Sequence, residues 1–396
     1  MKFIGPVIYE AEPFIIAKHF ISSNHSMLYI GKDDREITSI FDKLNWILPK
    51  NNVYLFRAWD QIPYDRVSPS KEVQIERLNT LHSLKNKNQK KIILTTVNSI
   101  IQKTLPRSSI KNNFINISKD SNFKHSYLVS KLTELGYERT SVVRDKSEFS
   151  VRGSIIDIFL TNYDYPLRLD FFDDHIETIF WFNPVNQKRI SKIDSEILTI
   201  HSSSELILNT KNIKNFRINF REIFSDYRKS QIYDLFSDGI IPSGGEQFLP
   251  LFYNCLETLF DYIDNYSIFL NTDFDQIIES RIENLNDFYE ARNHSEDKFY
   301  LKPSNLYLNL KQINDILNNN ECFKFSFYYK DNFLNSNIKP VNNLSSIKKE
   351  IDFNFINKYF EIHSNNKKII ICCSSGGNLE RIKGILYDNI NIQLIK

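Results

Sequence analysis

Gly31-Lys32 is the pair best placed to do phosphate chemistry. It follows a strand-like run, Met27 to Ile30, and opens a helix-like one, as a phosphate-binding loop does. The leading glycine of G-x-x-x-x-G-K-[ST] is missing, and Asp33-Asp34 stand where a Ser or Thr would ligate magnesium. Negative charge therefore lies where phosphates would have to sit, and the aspartates read as helix caps. Ser374-Ser375-Gly376-Gly377 also joins a strand to a helix, but it carries neither a G-x-G-x-x-G spacing nor a lysine and reads as a plain βα turn. Asp173-Asp174, a conceivable metal pair, reads as hairpin-turn chemistry. The eight histidines show no H-E-x-x-H or other metal spacing, and no G-x-S-x-G elbow is present. The expectation is a chain without catalytic residues, cofactor or metal, acting by binding a partner.

Composition narrows the class of partner. Fifty Lys and Arg oppose 48 Asp and Glu, a net charge of +2 over 396 residues, so the broad positive field of a dedicated nucleic-acid binder is missing. The 31 Phe and 20 Tyr are read as core and surface filling, because a base-stacking surface would need clustered Arg and Lys beside them. The four cysteines, Cys255, Cys322, Cys372 and Cys373, form no C-x-x-C pair, which points to a reducing, cytoplasmic setting and away from zinc. Charges interrupt every long apolar run, so neither a signal peptide nor a membrane span is expected.

The elements that must position any site come next. Strand-like and helix-like runs alternate through Met27–Ile30, Asp34–Leu48, Val53–Phe56, Gln74–Leu84 and Lys91–Val97, which predicts a mostly parallel sheet flanked by helices. A helix from Tyr127 closes at Gly136, a cap position. Strand candidates Val151–Leu160, Leu167–Phe172 and Ile176–Phe182 then crowd together, a small antiparallel β domain. Helices are expected to dominate from Glu205. Asn335–Ser346 reads as a linker, followed by a helix Ile351–Phe360, a strand Lys368–Cys373 and a helix Asn378–Leu386, an α/β unit that starts without finishing.

Alternation along Leu167-Arg168-Leu169-Asp170-Phe171-Phe172 sends Leu167, Leu169 and Phe171 to one face and Arg168, Asp170 and Phe172 to the other. With the first face in the core, an aromatic is left exposed beside an arginine, a composition typical of interface hot spots. Arg152, on a neighbouring strand candidate, extends the patch. The competing reading is an ordinary solvated strand face.

A series of longer segments carries a family resemblance. Trp59-Asp60-Gln61-Ile62-Pro63-Tyr64-Asp65-Arg66-Val67-Ser68-Pro69, with Glu76-Arg77-Leu78-Asn79-Thr80-Leu81, resembles the N-terminal region of the bacterial transcription-repair coupling factors (Mfd). Leu135 to Arg139, Glu148 to Phe159, Pro166 to Asp174 and Phe248 to Tyr253 match in the same order, so the resemblance covers roughly residues 1–270. It implies a UvrB-like, degenerate helicase domain with a lost ATP site and an inserted β-rich domain that docks UvrA. At the lost phosphate loop the chain reads Gly5-Pro6-Val7-Ile8-Tyr9-Glu10-Ala11-Glu12-Pro13, with no lysine and with Glu10 and Glu12 expected to repel phosphate. By motif position the UvrA contacts fall on Arg152, Arg168 and Phe172. Ser147 and Leu160 depart from the glycine and proline usual in the family.

The resulting expectation is an α/β protein in four parts: a degenerate UvrB-like domain 1a at 1–120, a UvrA-binding domain at 121–204, a mainly helical domain 1b at 205–334, and a linker with the start of a truncated α/β domain at 335–396. Its expected role is recruitment of UvrA in transcription-coupled nucleotide excision repair. The family's RNA-polymerase-binding and DNA-translocating domains, and with them ATP hydrolysis, are expected to lie beyond Lys396. The alternatives are a non-functional remnant and an ATP-dependent UvrB-like helicase.

Overall fold

A computed structural model of the chain describes residues 1–338 except 50, 51, 86, 88, 195, 294–298 and 329–332; beyond these it describes 358, 360–362, 369–373, 375–384, 386 and 392–395. The chain divides into two units, Met1–Ser336 and Asn337–Lys396.

The first unit is organised by a parallel sheet of seven strands: β1 (Lys2–Gly5), β2 (Ser26–Gly31), β3 (Val53–Phe56), β4 (Ile92–Thr96) and three strands that arrive much later in the sequence. The central strands read Met-Leu-Tyr-Ile-Gly in β2 and Ile-Ile-Leu-Thr-Thr in β4, and every one of those residues is buried, as expected where helices cover both faces. The helix Asp34–Ile47 follows β2. Asp33 caps it, its side chain accepting from the Glu36 amide at 2.9 Å, and Ile37, Ile40 and Leu44 form its buried stripe. A Cβ on Gly31 would lie 2.6 Å from Ile37 Cγ2, so the glycine lets this helix close onto its strand and needs no phosphate to explain it.

Between β4 and the rest of the sheet the chain leaves to build an inserted domain. β5 (Phe114–Ile117) pairs antiparallel with β12 (Leu198–His201), Phe114 opposite His201. Within that frame a six-stranded sheet runs in the order β11 (Arg189–Ile193), β10 (His175–Phe182), β9 (Leu167–Phe172), β8 (Ile155–Ile158), β7 (Glu148–Arg152), β6 (Glu138–Arg139). The insert therefore begins at Phe114 and not near residue 121. The helix His125–Glu134 packs Leu128 and Leu132 into the insert's own core. Gly136, at φ +90°, turns the chain out of that helix in the left-handed conformation expected of a cap. The single strand expected over Val151–Leu160 is two: β7 folds back at Gly153-Ser154 into β8, because the apolar run is interrupted by the turn pair.

Residues 205–334 do not stand apart as a helical domain. They supply β13 (Tyr266–Leu270) and β14 (Glu321–Phe325), which pair in parallel with β2 and β1, and β15 (Leu334–Asn335) closes the order β15-β1-β14-β13-β2-β4-β3. One core accordingly joins Leu28, Phe56 and Ile93 to Phe216, Phe248 and Ile268. A buried ion pair ties the same halves together. Arg77 Nε donates to Glu205 Oε1 at 2.5 Å, Trp59 Nε1 reaches the same oxygen at 3.1 Å, and Thr104 Oγ1 donates to Oε2 at 3.0 Å; Arg77 and Glu205 are both fully buried.

In the second unit β16 (Ile369–Cys372) pairs in parallel with β17 (Ile392–Ile395). Ser375 caps the helix Gly376–Lys383 through the Asn378 amide at 3.2 Å, so Gly376 and Gly377 belong to the helix itself. The expected linker beyond 338 and most of the helix Ile351–Phe360 lie outside the described residues.

Candidate functional site

The outer face of the insert's sheet is laid out by strand register. β7 to β11 align Ser150, Asp157, Arg168, Phe180 and Lys192 in one row, and Arg152, Ile155, Asp170 and Thr178 in the next. Leu167, Leu169 and Phe171 are buried on the opposite face, as the alternation predicts. Phe172 is 60% exposed at the end of β9, its ring edge-on to His175 with centroids 5.6 Å apart.

Arg168 is less free than the sequence suggested. Its side chain is 13% exposed, and its guanidinium donates from Nε to Asp157 Oδ1 at 2.7 Å and from Nη2 to Oδ2 at 2.9 Å. It also lies 4.6 Å from the Phe182 ring centre and donates from Nη1 to the Gln187 carbonyl at 3.3 Å. Bonding to Asp157 pushes the guanidinium further above its ordinary value. Arg152, 48% exposed, donates to Asp157 Oδ2 from the other side. One fully buried carboxylate thus fixes two arginines, a charge-assisted fork that sets the orientation of both. Asp157 was missed in sequence, although a lone charge in the strand Ile155-Ile156-Asp157-Ile158 already demanded a partner. Arg189 borders the patch, stacked 4.1 Å from the Phe180 ring centre and 4.0 Å from Asp170.

The segment Gly5 to Pro13 lies at the carboxyl end of β1. Gly5 is held by close packing, since a Cβ would meet the Tyr328 carbonyl at 3.0 Å. Glu10 is exposed, but Glu12 is buried, and burial raises its pKa to about 8. The charge expected at Glu12 is therefore largely absent at neutral pH, and the position is closed by burial instead of by repulsion. Tyr29 Oη stands 2.7 Å from Glu12 Oε2 and 2.5 Å from Glu36 Oε1. A phenol has one proton to give, so both contacts are satisfied when it donates to Glu36 and accepts from protonated Glu12. Glu36 also accepts from the Lys32 amide and from Asn271 Nδ2, each at 2.7 Å. A carboxyl-rich network fills the strand ends where a parallel sheet would hold a nucleotide.

Asp173, at φ +51°, and Asp174 form the β9–β10 turn. Among the described residues one metal-competent group comes together, His19, His25 and Glu321; the two histidines have five residues between them, but Glu321 is too distant in sequence for a spacing motif to have joined it to them.

Residues 115–204 match the UvrB interaction domain family. Over 375 residues the chain is 31% identical to the transcription-repair-coupling factor of Rickettsia typhi, an alignment covering 92% of the chain and 33% of that protein. It is 30% identical over 389 residues to the same factor from Rickettsia prowazekii, covering 96% and 34%. Against that of Haemophilus influenzae it is 29% identical over 316 residues, covering 79% and 27%. The chain is similar to the transcription-repair-coupling factors over most of its own length. It matches the N-terminal region of that family and spans 27% to 34% of the length of these relatives. No helix among the described residues is long and apolar enough to cross a membrane.

Proposed function

We propose that the chain docks UvrA through the outer face of its inserted domain, as the recruiting arm of a transcription-repair coupling factor. The observation that carries this reading is a sheet face that bears Arg152 and Arg168, two arginines locked on one buried aspartate, with the exposed Phe172 at the end of the same strand as Arg168. Pre-oriented guanidinium groups lose little side-chain entropy when a partner arrives, and an exposed aromatic supplies an anchor. In this reading docked UvrA is delivered, in the cytoplasm, to DNA where RNA polymerase has stalled, polymerase and DNA being engaged by other domains of the family. In this reading the chain works by docking and not by catalysis, which is supported by the Glu12–Tyr29–Glu36 network at the strand ends and by Glu36 accepting from the Lys32 amide.

Titration calorimetry with purified UvrA tests the proposal. Phe172→Ala and Arg152→Ala are expected to weaken binding by about 1–4 kcal/mol each with unchanged circular dichroism. Unaltered affinity in both variants would refute the surface, and saturable micromolar binding of Mg-ATP would refute a purely docking role.

A further inference from the structure

We propose that His19, His25 and Glu321 form a binding site for a zinc-class divalent transition-metal ion at the amino-terminal end of the parallel sheet, away from the strand ends that a nucleotide would use. His19 comes from the last turn of the helix Glu12–Ser22, His25 from the loop that enters β2, and Glu321 opens β14. Their ligand atoms all lie within 4.8 Å of one another. Tetrahedral zinc at its usual nitrogen and oxygen distances holds ligand atoms about 3.4 Å apart, so rotation of partly exposed side chains is enough to close the set.

The surroundings orient these groups. The His19 ring packs edge-on against Phe269 and Phe323, with centroids 5.2 and 5.0 Å away. Ser267 Oγ hydrogen-bonds His25 Nε2 at 2.5 Å and Glu321 Oε2 at 3.4 Å, the kind of outer contact that sets ligand direction in metal sites. Lys2 Nζ sits 2.7 Å from Glu321 Oε1, yet its side chain is 58% exposed and can swing into water when a dication takes its place. Two imidazoles and one carboxylate suit zinc and its neighbours, whereas magnesium and calcium call for oxygen ligands. Three protein ligands leave the fourth position to water. The ion would pin the end of one helix, the loop after it and a strand some three hundred residues later, a clamp independent of the docking face.

The test is titration of the full chain with zinc chloride, paired with thermal melts with and without the metal. One saturable site is expected, with a raised melting temperature, because a ligand that binds only the folded state stabilises it. His25→Gln and Glu321→Gln, both at partly exposed positions, should retain the native circular dichroism and lose at least tenfold in zinc affinity. Cobalt bound in place of zinc should give a visible spectrum without a thiolate charge-transfer band, which separates this site from the exposed Cys255. Absence of saturable binding, equal affinity for magnesium, a thiolate band, or undiminished zinc affinity in both variants would each overturn the proposal.

Discussion

The Arg168 guanidinium holds both oxygens of Asp157, a carboxylate with no solvent exposure, from the neighbouring strand. Removing one member leaves the other under-compensated away from water, Asp157 with Arg152 alone or Arg168 with only the Gln187 carbonyl, at a cost of up to about 3–5 kcal/mol. Asp157→Ala and Arg168→Ala should therefore lower stability by that order in urea melts, while Arg152→Ala, more exposed, should leave the melt nearly unchanged. If Arg168→Ala melted like the parent chain, the fork would be ornamental and its role in pre-orienting the patch would fall.

Neighbouring positions along β9 should separate binding from folding. Leu169→Ala is expected to cost about 2–5 kcal/mol by opening a cavity, and Phe172→Ala within about 0.5 kcal/mol of zero. Denaturant midpoints on the two variants measure this, and a reversed ranking would invert the assignment of faces.

Ser147 is buried and sits at φ +71°, a backbone region that favours glycine. An L-residue pays roughly 1–2 kcal/mol for that conformation, and the Ser147 hydroxyl is buried without a hydrogen-bond partner. Ser147→Gly should raise stability by about 1 kcal/mol after the entropy that glycine returns to the unfolded chain. Ser147→Ala, which keeps the strained backbone, should gain less. Equal melting of Ser147→Gly and Ser147→Ala would show that the backbone carries no strain there.

Glu12 gives a pH signature. Its folded pKa of about 8 lies above the ordinary 4.5, chiefly through burial, so the folded state holds a proton that the unfolded chain releases. This contribution is complete below pH 4.5, declines as pH rises towards 8, and is gone above it, by up to about 1.4 kcal/mol per pH unit. Stability measured from pH 5 to 8 should fall more steeply in the parent chain than in Glu12→Gln, which does not titrate. Parallel profiles would exclude a protonated Glu12.

The β9 faces and the capping of Asp34–Ile47 by Asp33 were legible because each is a local pattern: period two and a capping carboxylate. What could not be read is what long-range contact decides. Trp59 and Arg77 stood out as family signatures with no stated purpose, and that purpose is Glu205, which both side chains bond in the core. The same distance in sequence hid Asp157 as the partner of Arg168 and Glu321 as a neighbour of His19. Residues 205–334 are mainly helical as expected, but their place in the shared sheet was hidden for a related reason. β13 and β14 are short strands whose place in the sheet is set by pairing with β2 and β1, not by anything local to them.

The pairing of Phe114 with His201 bears on how the chain folds. The first and last strands of the insert lie side by side, while the parent sheet resumes at β13, on the other side of β2 from β4. For a chain with an unstructured insertion, bringing β13 to β2 means closing a very long loop. Once the insert has zipped its own ends together, its contribution to that loop shrinks to the spacing of two adjacent strands, about 5 Å, and much of the closure entropy has already been met locally. Made first, such an insert shortens the search for the last strands of the sheet, and Asn79 Nδ2, which donates to the Thr161 carbonyl at 3.0 Å, then holds it against its host beyond the two-strand stem.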